Sequence, residues 1–332
     1  MKLDFPLINT HTHAAMVGFR GLAEDMPLQK WLEEYIWPAE RANVKPDFVY
    51  EKTKEAILEM RRNGVEAFSD MYFFEDQVAR AAEELGMHVL IGEGILDFPT
   101  PSAKNADEAF DLTEKLFEKY KESRFVKVAV APHSIYTVSR ENLVRAKELA
   151  RKHDAPYHIH LAETKKEFDD SMDKNRMTPT AYLDSLGVLD EKTIAAHCVW
   201  LTDDDIDILA KRNVKVSHCP LSNLKLGSGI APVAKMMEKG ICVSLGTDGA
   251  ASSNRLDIWE AGKFAALLQK GINHDPTVIP ARTAIEMMSV NGMEALGFEE
   301  IAGKSKEKIL EWLERFDDKS ALYNMNASEI FD

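Results

Sequence analysis

Short apolar runs alternate along the chain with segments whose apolar residues recur at helical spacing. The runs at 7–11, 65–71, 87–92, 125–131, 155–161, 193–196, 214–217 and 241–245 read as strands. The segments at 51–63, 77–85, 106–121, 141–152, 179–185, 203–211, 232–238 and 256–268 read as helices. The first of these carries Ala56, Ile57 and Met60 on one face and is stopped by Gly64. Each strand is thus followed by a helix, the pattern of βαβ units around a parallel sheet. Eight such units in about 260 residues favour a closed (β/α)8 barrel of the TIM type over an open doubly wound sheet. No GxGxxG follows the first strand, which further disfavours the open sheet.

Beyond the barrel, 280–332 reads as additional helix, with Trp312, Leu313 and Phe316 forming an apolar stripe. The expected division is a barrel over 1–298 and a C-terminal helical extension over 299–332. The last dozen residues, 321–332, are expected to be frayed or loosely docked.

The chain has 332 residues, 45% of them hydrophobic and 29% charged, an ordinary globular balance with material for a large core. Its 41 basic and 55 acidic residues leave a net charge of −14, which argues against nucleic acid as a partner. Three cysteines, Cys198, Cys219 and Cys242, do not make a disulfide framework. There is no long apolar leader and no run of 18 apolar residues, so neither secretion nor a membrane is expected, and a reducing cytoplasm is.

Active sites of such barrels lie at the carboxyl ends of the strands. Strand one ends in His11-Thr12-His13, and alternate residues on a strand share a face. Strand four ends at His133, strand five runs His158-Ile159-His160 towards Glu163, strand six ends at His197, strand seven at His218 and strand eight at Asp248. Seven of the ten histidines therefore fall at or near strand ends; His88, His153 and His274 are expected at helix or loop positions. A ligand set of His11, His13, one of the two strand-five histidines and Asp248 suits one Zn²⁺ per chain, although Fe²⁺ and Mn²⁺ share those ligands. Such a metal makes hydroxide accessible at neutral pH. Glu163 is placed to give a proton to a substrate ring nitrogen, His197 to take one from water, and Asp248 to carry it to the leaving group.

These strand ends resemble those of the amidohydrolase superfamily and, within it, the 5-methylthioadenosine/S-adenosylhomocysteine deaminase family. The matching stretches include LINTHTHAAM (7–16), RGLAEDMPLQKWLEEYIWPAE (20–40), APHSIYT (131–137), HIHLAET (158–164), SHCPLSNLKLGSGIAPV (217–233) and SLGTDGAASSNRLDIWE (244–260). The resemblance runs from 7 to 298. It implies that His11, His13, His160 and Asp248 bind zinc, with His160 rather than His158 the ligand and His158 packed beneath. It implies that Glu40 grips ribose hydroxyls, that Trp31 lines the nucleoside pocket and that His133 and Glu163 touch the substrate. Without it, Glu40 would read as a solvated helix charge and Trp31 as a core aromatic. His218 and Asn223 match a family motif and are given only a lining or structural role.

Two departures stand out. Members of the family usually carry some 50 residues before the HTH strand that join C-terminal residues in a β-sandwich. Here HTH begins at His11 and no flanking sandwich is expected. An arginine in the loop after strand three serves some members as partner of an adenosylhomocysteine carboxylate. Here 97–105 offers only Lys104, so methylthioadenosine or adenosine is expected to be preferred.

The expected function is hydrolytic deamination of an adenine nucleoside to the inosine-type product and ammonia. The expected partner is a small-molecule nucleoside, and homo-oligomerisation is left open. The alternatives are a deaminase of a guanine-, cytosine- or triazine-type ring, an amide or lactam hydrolase, and a catalytically silent metal-binding protein. The amide hydrolases with two metals usually bridge them with a modified lysine at the end of strand four, where this chain has His133.

Overall fold

The computed structural model describes residues 5–316 and 318–324. Eight strands form the centre: β1 (Leu7–Thr12), β2 (Val65–Tyr72), β3 (His88–Ile95), β4 (Val126–Val128, resuming at Ala131–Pro132), β5 (Tyr157–Leu161), β6 (Thr193–His197), β7 (Lys215–His218) and β8 (Val243–Leu245). All the pairings among them are parallel and sequential, β1 to β4 in one ladder and β5 to β8 in another. The ladders join through a parallel bridge between Val130 and Tyr157. On the far side the Asp248 amide donates to the His11 carbonyl at 2.9 Å and Thr10 Oγ1 donates to the Leu245 carbonyl at 2.9 Å. The result is the expected (β/α)8 barrel, with its strands buried on both faces.

The helices wrap this barrel with one apolar face inward. The helix Pro46–Arg62 starts with proline at its first position and buries Val49, Thr53, Ala56, Ile57 and Met60, a single stripe. The helix Asp203–Lys211 starts at a capping box between Thr202 and Asp205. The helix Val290–Leu296 closes the amino-terminal side of the barrel, with Gly292 against Ile8 of β1.

Several expectations are corrected. His88 opens β3 instead of lying in a helix or loop, at the barrel end away from the site. Strand four is interrupted at Ala129–Val130. The 301–332 stretch does not begin as helix: Glu300–Ile301 and Lys304–Ser305 form an antiparallel hairpin. Its two loop residues, Ala302 and Gly303, both have positive φ, the geometry that suits a two-residue hairpin turn. The helices Lys306–Leu313 and Asp318–Asn324 follow. Of the tail expected to be frayed or loosely docked, the start is docked: Ala321 and Leu322 are fully buried against the barrel helices. Residues 325–332 lie outside the described residues. The Trp312 ring lies tilted 4.5 Å from Phe316 and meets Phe5 edge-on at 5.0 Å, tying this end to the start of the chain.

Candidate metal centre and cleft

Strand geometry brings the expected donors together. His11 and His13 leave β1 on one side, His160 comes from β5, and Asp248 follows β8. One ligand atom from each of His11, His13 and His160 lies within 4.8 Å of the others, and the same holds for His11, His197 and Asp248. His13 Nε2 lies 3.1 Å and His11 Nε2 3.6 Å from Asp248 Oδ1.

The back of each ring fixes its tautomer. His13 Nδ1 donates to the Met71 carbonyl and His160 Nδ1 to the His133 carbonyl, the latter at 2.8 Å. A carbonyl only accepts, so both rings carry a proton on Nδ1; Nε2 is then the ligating atom, bare on neutral His160 and freed on His13 when a cation displaces the proton it shares with Asp248. His11 Nδ1 contacts His158 Nε2 at 3.1 Å, and His158 Nδ1 continues to Ser69 Oγ at 3.2 Å. Asp248 is held by Ser222 Oγ at 2.5 Å, Ser252 Oγ at 2.8 Å and the Gly249 amide at 2.7 Å.

The donor set fits a divalent ion. His11 Nε2 is buried and finds no hydrogen-bond partner among the described residues, a state that costs stability unless something takes its lone pair. Burial, reinforced by the neighbouring rings, pushes His11 and His160 well below the usual imidazole range, into the neutral form that ligates. For His13 burial acts in the same direction, but the Asp248 carboxylate outweighs it and raises the ring to about 9. Burial opposes ionisation of Asp248, and His13 overcomes it, so the carboxylate persists well below its ordinary range. A cation entering between these two takes the place of a proton.

Around this cluster the backbone departs from the common regions. Ala162, His197, Cys198 and Asp248 have φ of 50°, 73°, 50° and 64°, all non-glycine residues in the left-handed region. They follow or end β5, β6 and β8, at the turns from which Glu163, His197 and Asp248 face the cleft. His197 Nδ1 donates to Asn223 Oδ1 at 2.9 Å, which leaves Nε2 as an acceptor 3.9 Å from Glu163 Oε2. Burial raises the Glu163 carboxyl, with His197 pulling the other way.

A cleft of about 720 Å³, its open mouth included, sits over these groups. His13, His133, His160, Glu163, His197 and Asp248 form its floor, and Trp31, Glu40, Tyr72 and Tyr136 are on its walls. Trp31 and Glu40 come from the continuous helical stretch 28–43, which contains a π-helical segment at Trp31–Ile36. Segments of that kind recur at functional sites. Glu40 is buried and accepts from the Tyr72 hydroxyl at 2.7 Å. Burial raises its carboxyl to about 7 against the lowering effect of Tyr72. His133 Nδ1 meets Ser134 Oγ and Thr137 Oγ1 at 3.0 and 2.9 Å, and burial brings the ring down to about 3. All nine of the residues singled out from the sequence therefore line the cleft or the donor cluster. His158 lies two residues deeper on β5, and His218 is buried with both ring nitrogens unpartnered among the described residues.

Sequence reasoning did not find Tyr72, Ser222, Ser252 or Glu167. Glu167 had a signal: Thr164 followed three residues later by a glutamate is a helix-start pattern. Asn223, given a lining or structural role from the sequence, accepts from His197 Nδ1 and sets the tautomer of that ring.

A parallel barrel whose strand ends converge histidines and carboxylates on one ion-sized point is a metal-dependent hydrolase scaffold. The chain belongs to the amidohydrolase family, whose model matches residues 7–308. It is 51% identical over 296 residues to a 5-methylthioadenosine/S-adenosylhomocysteine deaminase of Thermodesulfovibrio yellowstonii, covering 89% of this chain and 67% of that one. It is 46% identical to a 5'-deoxyadenosine deaminase of Methanothermobacter thermautotrophicus, covering 90% and 70%. Among solved structures it is similar to an adenosine deaminase of Xanthomonas campestris with bound zinc. That match has 39% identity and a TM-score of 0.88, and covers 91% of this chain and 68% of the other. None of the described helices is long and apolar enough to cross a membrane.

Proposed function

We propose that this protein is a zinc-dependent aminohydrolase that deaminates adenine nucleosides at C6 to the inosine-type product and ammonia. The observation that carries the reading is that one cleft is lined by Glu163 and His197, by the metal donors, and by Glu40 and Trp31 on the helical wall. The names of the relatives support the same substrate class. His11, His13, His160 and Asp248 are the residues that would hold the ion. Zinc, when bound, supplies a Lewis acid that brings the pKa of water down to about 7.

The chain's own groups do the rest. His197 Nε2, bare because Nδ1 is committed to Asn223, takes a proton from the attacking water. Glu163, whose carboxyl burial shifts towards the protonated form, donates to N1 of the ring and so draws electrons from C6. Asp248 carries the second proton to the departing amine. Trp31 covers the base, with its indole N–H buried and unpaired among the described residues. Glu40 accepts from the ribose hydroxyls, and His133 Nε2 meets the substrate from the floor. A neutral imidazole there adds no repulsion to the metal's charge.

The preferred 5′ substituent is a finer question. A second chamber shares Leu28, Leu32, Trp37, Tyr136 and Leu226 with the cleft and extends to Lys165, Lys166 and Trp200. Lys104, the cation expected from the sequence, lines neither space. The experiment is to follow the ultraviolet change from adenine to hypoxanthine on adenosine, 5′-deoxyadenosine, methylthioadenosine and adenosylhomocysteine with zinc-loaded protein. Turnover on any of them supports the reading, and silence on all four with metal bound overturns it. Good turnover of adenosylhomocysteine would give Lys165 and Lys166 the role the sequence left to Lys104.

A further inference from the structure

Glu163 sits just beyond β5, where the chain turns sharply. Ala162 adopts φ 50°, a conformation that an L-residue holds only under constraint from its surroundings. Two sets of bonds supply that constraint. On one side the Ala162 carbonyl accepts from the Val199 and Trp200 amides, at 3.0 and 2.9 Å, beyond the end of β6. On the other, Glu167 Oε1 accepts from the Ala162 amide at 3.0 Å and Glu167 Oε2 from the Glu163 amide at 2.8 Å. Glu167 is itself buried in the first turn of the helix Lys165–Asn175, where its amide is capped by Thr164 Oγ1 at 3.1 Å.

Both oxygens of a buried carboxyl group are thus spent on two successive amides, that of Ala162 before the proton donor and that of the donor itself. Among the described residues Glu167 has no cationic partner, so it is not part of an ion pair that would explain its burial. An ordinary helix start needs only the Thr164 cap. Reaching back past that cap to Ala162 and Glu163 does nothing for the helix and fixes the strand end.

We propose that Glu167 is a positioning residue for the Glu163 proton donor, a two-amide clamp that sets where the Glu163 carboxyl points. The proposal rests on the deaminase reading above. Glu167 lies outside the cleft over the metal donors and acts there only through Glu163, so its loss should fall on the chemical step rather than on binding.

The test is Glu167→Gln, which keeps size but turns one acceptor oxygen into a donor facing a backbone N–H. The expected result, per folded and metal-loaded enzyme, is a fall in kcat of about ten- to a hundredfold with KM within about threefold. The pH limb belonging to the proton donor should move, and metal content should stay at that of the wild type. Thr164→Ala perturbs the same helix start and leaves the clamp in place, so its kcat should stay near wild type. An unchanged kcat and pH profile in Glu167→Gln, or an equal loss in Thr164→Ala, overturns the clamp. If Glu167→Gln does not fold, Glu167→Asp keeps the carboxyl group on an arm too short for both amides, and unchanged kcat there overturns the proposal equally. A wild-type protein silent on every nucleoside would overturn the deaminase reading and the clamp with it, whereas an active wild type beside an indifferent variant overturns the clamp alone.

Discussion

His158 Nε2 lies 3.1 Å from His11 Nδ1, behind the donor cluster rather than in it. Two histidines at alternate positions of β5 thereby divide their work. His160 presents Nε2 to the ion-sized space, while His158, tethered to Ser69, steadies the ring of His11. Burial brings His158 down to about 3, so it serves as a neutral hydrogen-bond partner and adds no charge beneath the ion. Such partners of a ligand typically matter by about 10–100-fold in metal affinity. We predict a weakening of that size for His158→Ala, read by titrating stripped protein with Zn²⁺ against a competing chelator dye. Wild-type affinity in the variant would remove His158 from the support of His11.

Glu163 and Asp248 are predicted to separate in their effects. Glu163→Gln keeps shape but cannot give up a proton, so kcat should fall by about 10²–10⁴-fold, the usual worth of a positioned general acid. Its metal content, measured by atomic emission, should match the wild type because Glu163 lies outside the donor clusters. Asp248→Asn removes the carboxylate that pairs with His13 and His11 and should lose both metal and turnover. Near-normal turnover in Glu163→Gln would mean that another group protonates the ring.

The site was legible because barrel chemistry collects at strand ends, and strand ends are visible in a sequence. A run of apolar residues that stops at His11-Thr12-His13 or at His160 names both the element and the group it carries. The resemblance then chose His160 over His158, a choice that spacing alone left open. Supporting contacts were less visible because they cross between elements. Nothing in the sequence links Tyr72 to Glu40, which are 32 residues apart, or Ser222 to Asp248, 26 apart. The helix Lys165–Asn175 escaped because it buries little besides Glu167 and Ser171, so hydrophobic periodicity had nothing to register. The hairpin at Glu300–Ser305 escaped because its strands are two residues each, and only the Ala302-Gly303 turn marked it.

The lower end of the barrel makes a prediction about stability rather than chemistry. A Cβ at Gly292 would sit 2.5 Å from Ile8 Cβ, closer than two carbons can approach. Ile8 is fixed in β1 and branched at that atom, so neither it nor the helix Val290–Leu296 can give way cheaply. Gly292→Ala should therefore destabilise by roughly 1–3 kcal/mol, as overpacking does, despite alanine's better helix propensity. Urea denaturation checks this, and a variant as stable as wild type would show that the helix can shift off β1.

If Glu40 grips the ribose as proposed, it ties substrate affinity to pH. Its carboxyl is raised from 4.5 to about 7 by burial, and the Tyr72 hydroxyl partly offsets that rise. Above about pH 7 the group is ionised and is the better acceptor for ribose hydroxyls; below it, the group is protonated and half its acceptor capacity is gone. KM for the nucleoside should accordingly rise as pH falls through 7, in a profile that Glu40→Gln flattens. The linked stability runs the opposite way. The folded state holds this proton more tightly than the unfolded chain, so Glu40 favours folding most below pH 4.5, and that advantage is lost as pH rises to about 7. Tyr72→Phe removes the hydroxyl that favours the ionised form. Its KM at pH 7 should rise about 2- to 10-fold, the worth of one such hydrogen bond, and the midpoint of its KM profile should move to higher pH. Both shifts are read from initial rates across pH 5.5–8.5 (about three units spanning the midpoint). A Tyr72→Phe profile that coincides with wild type would mean that Glu40 meets the ribose without help from Tyr72, and one that loses kcat while keeping KM would assign Tyr72 to the chemical step instead.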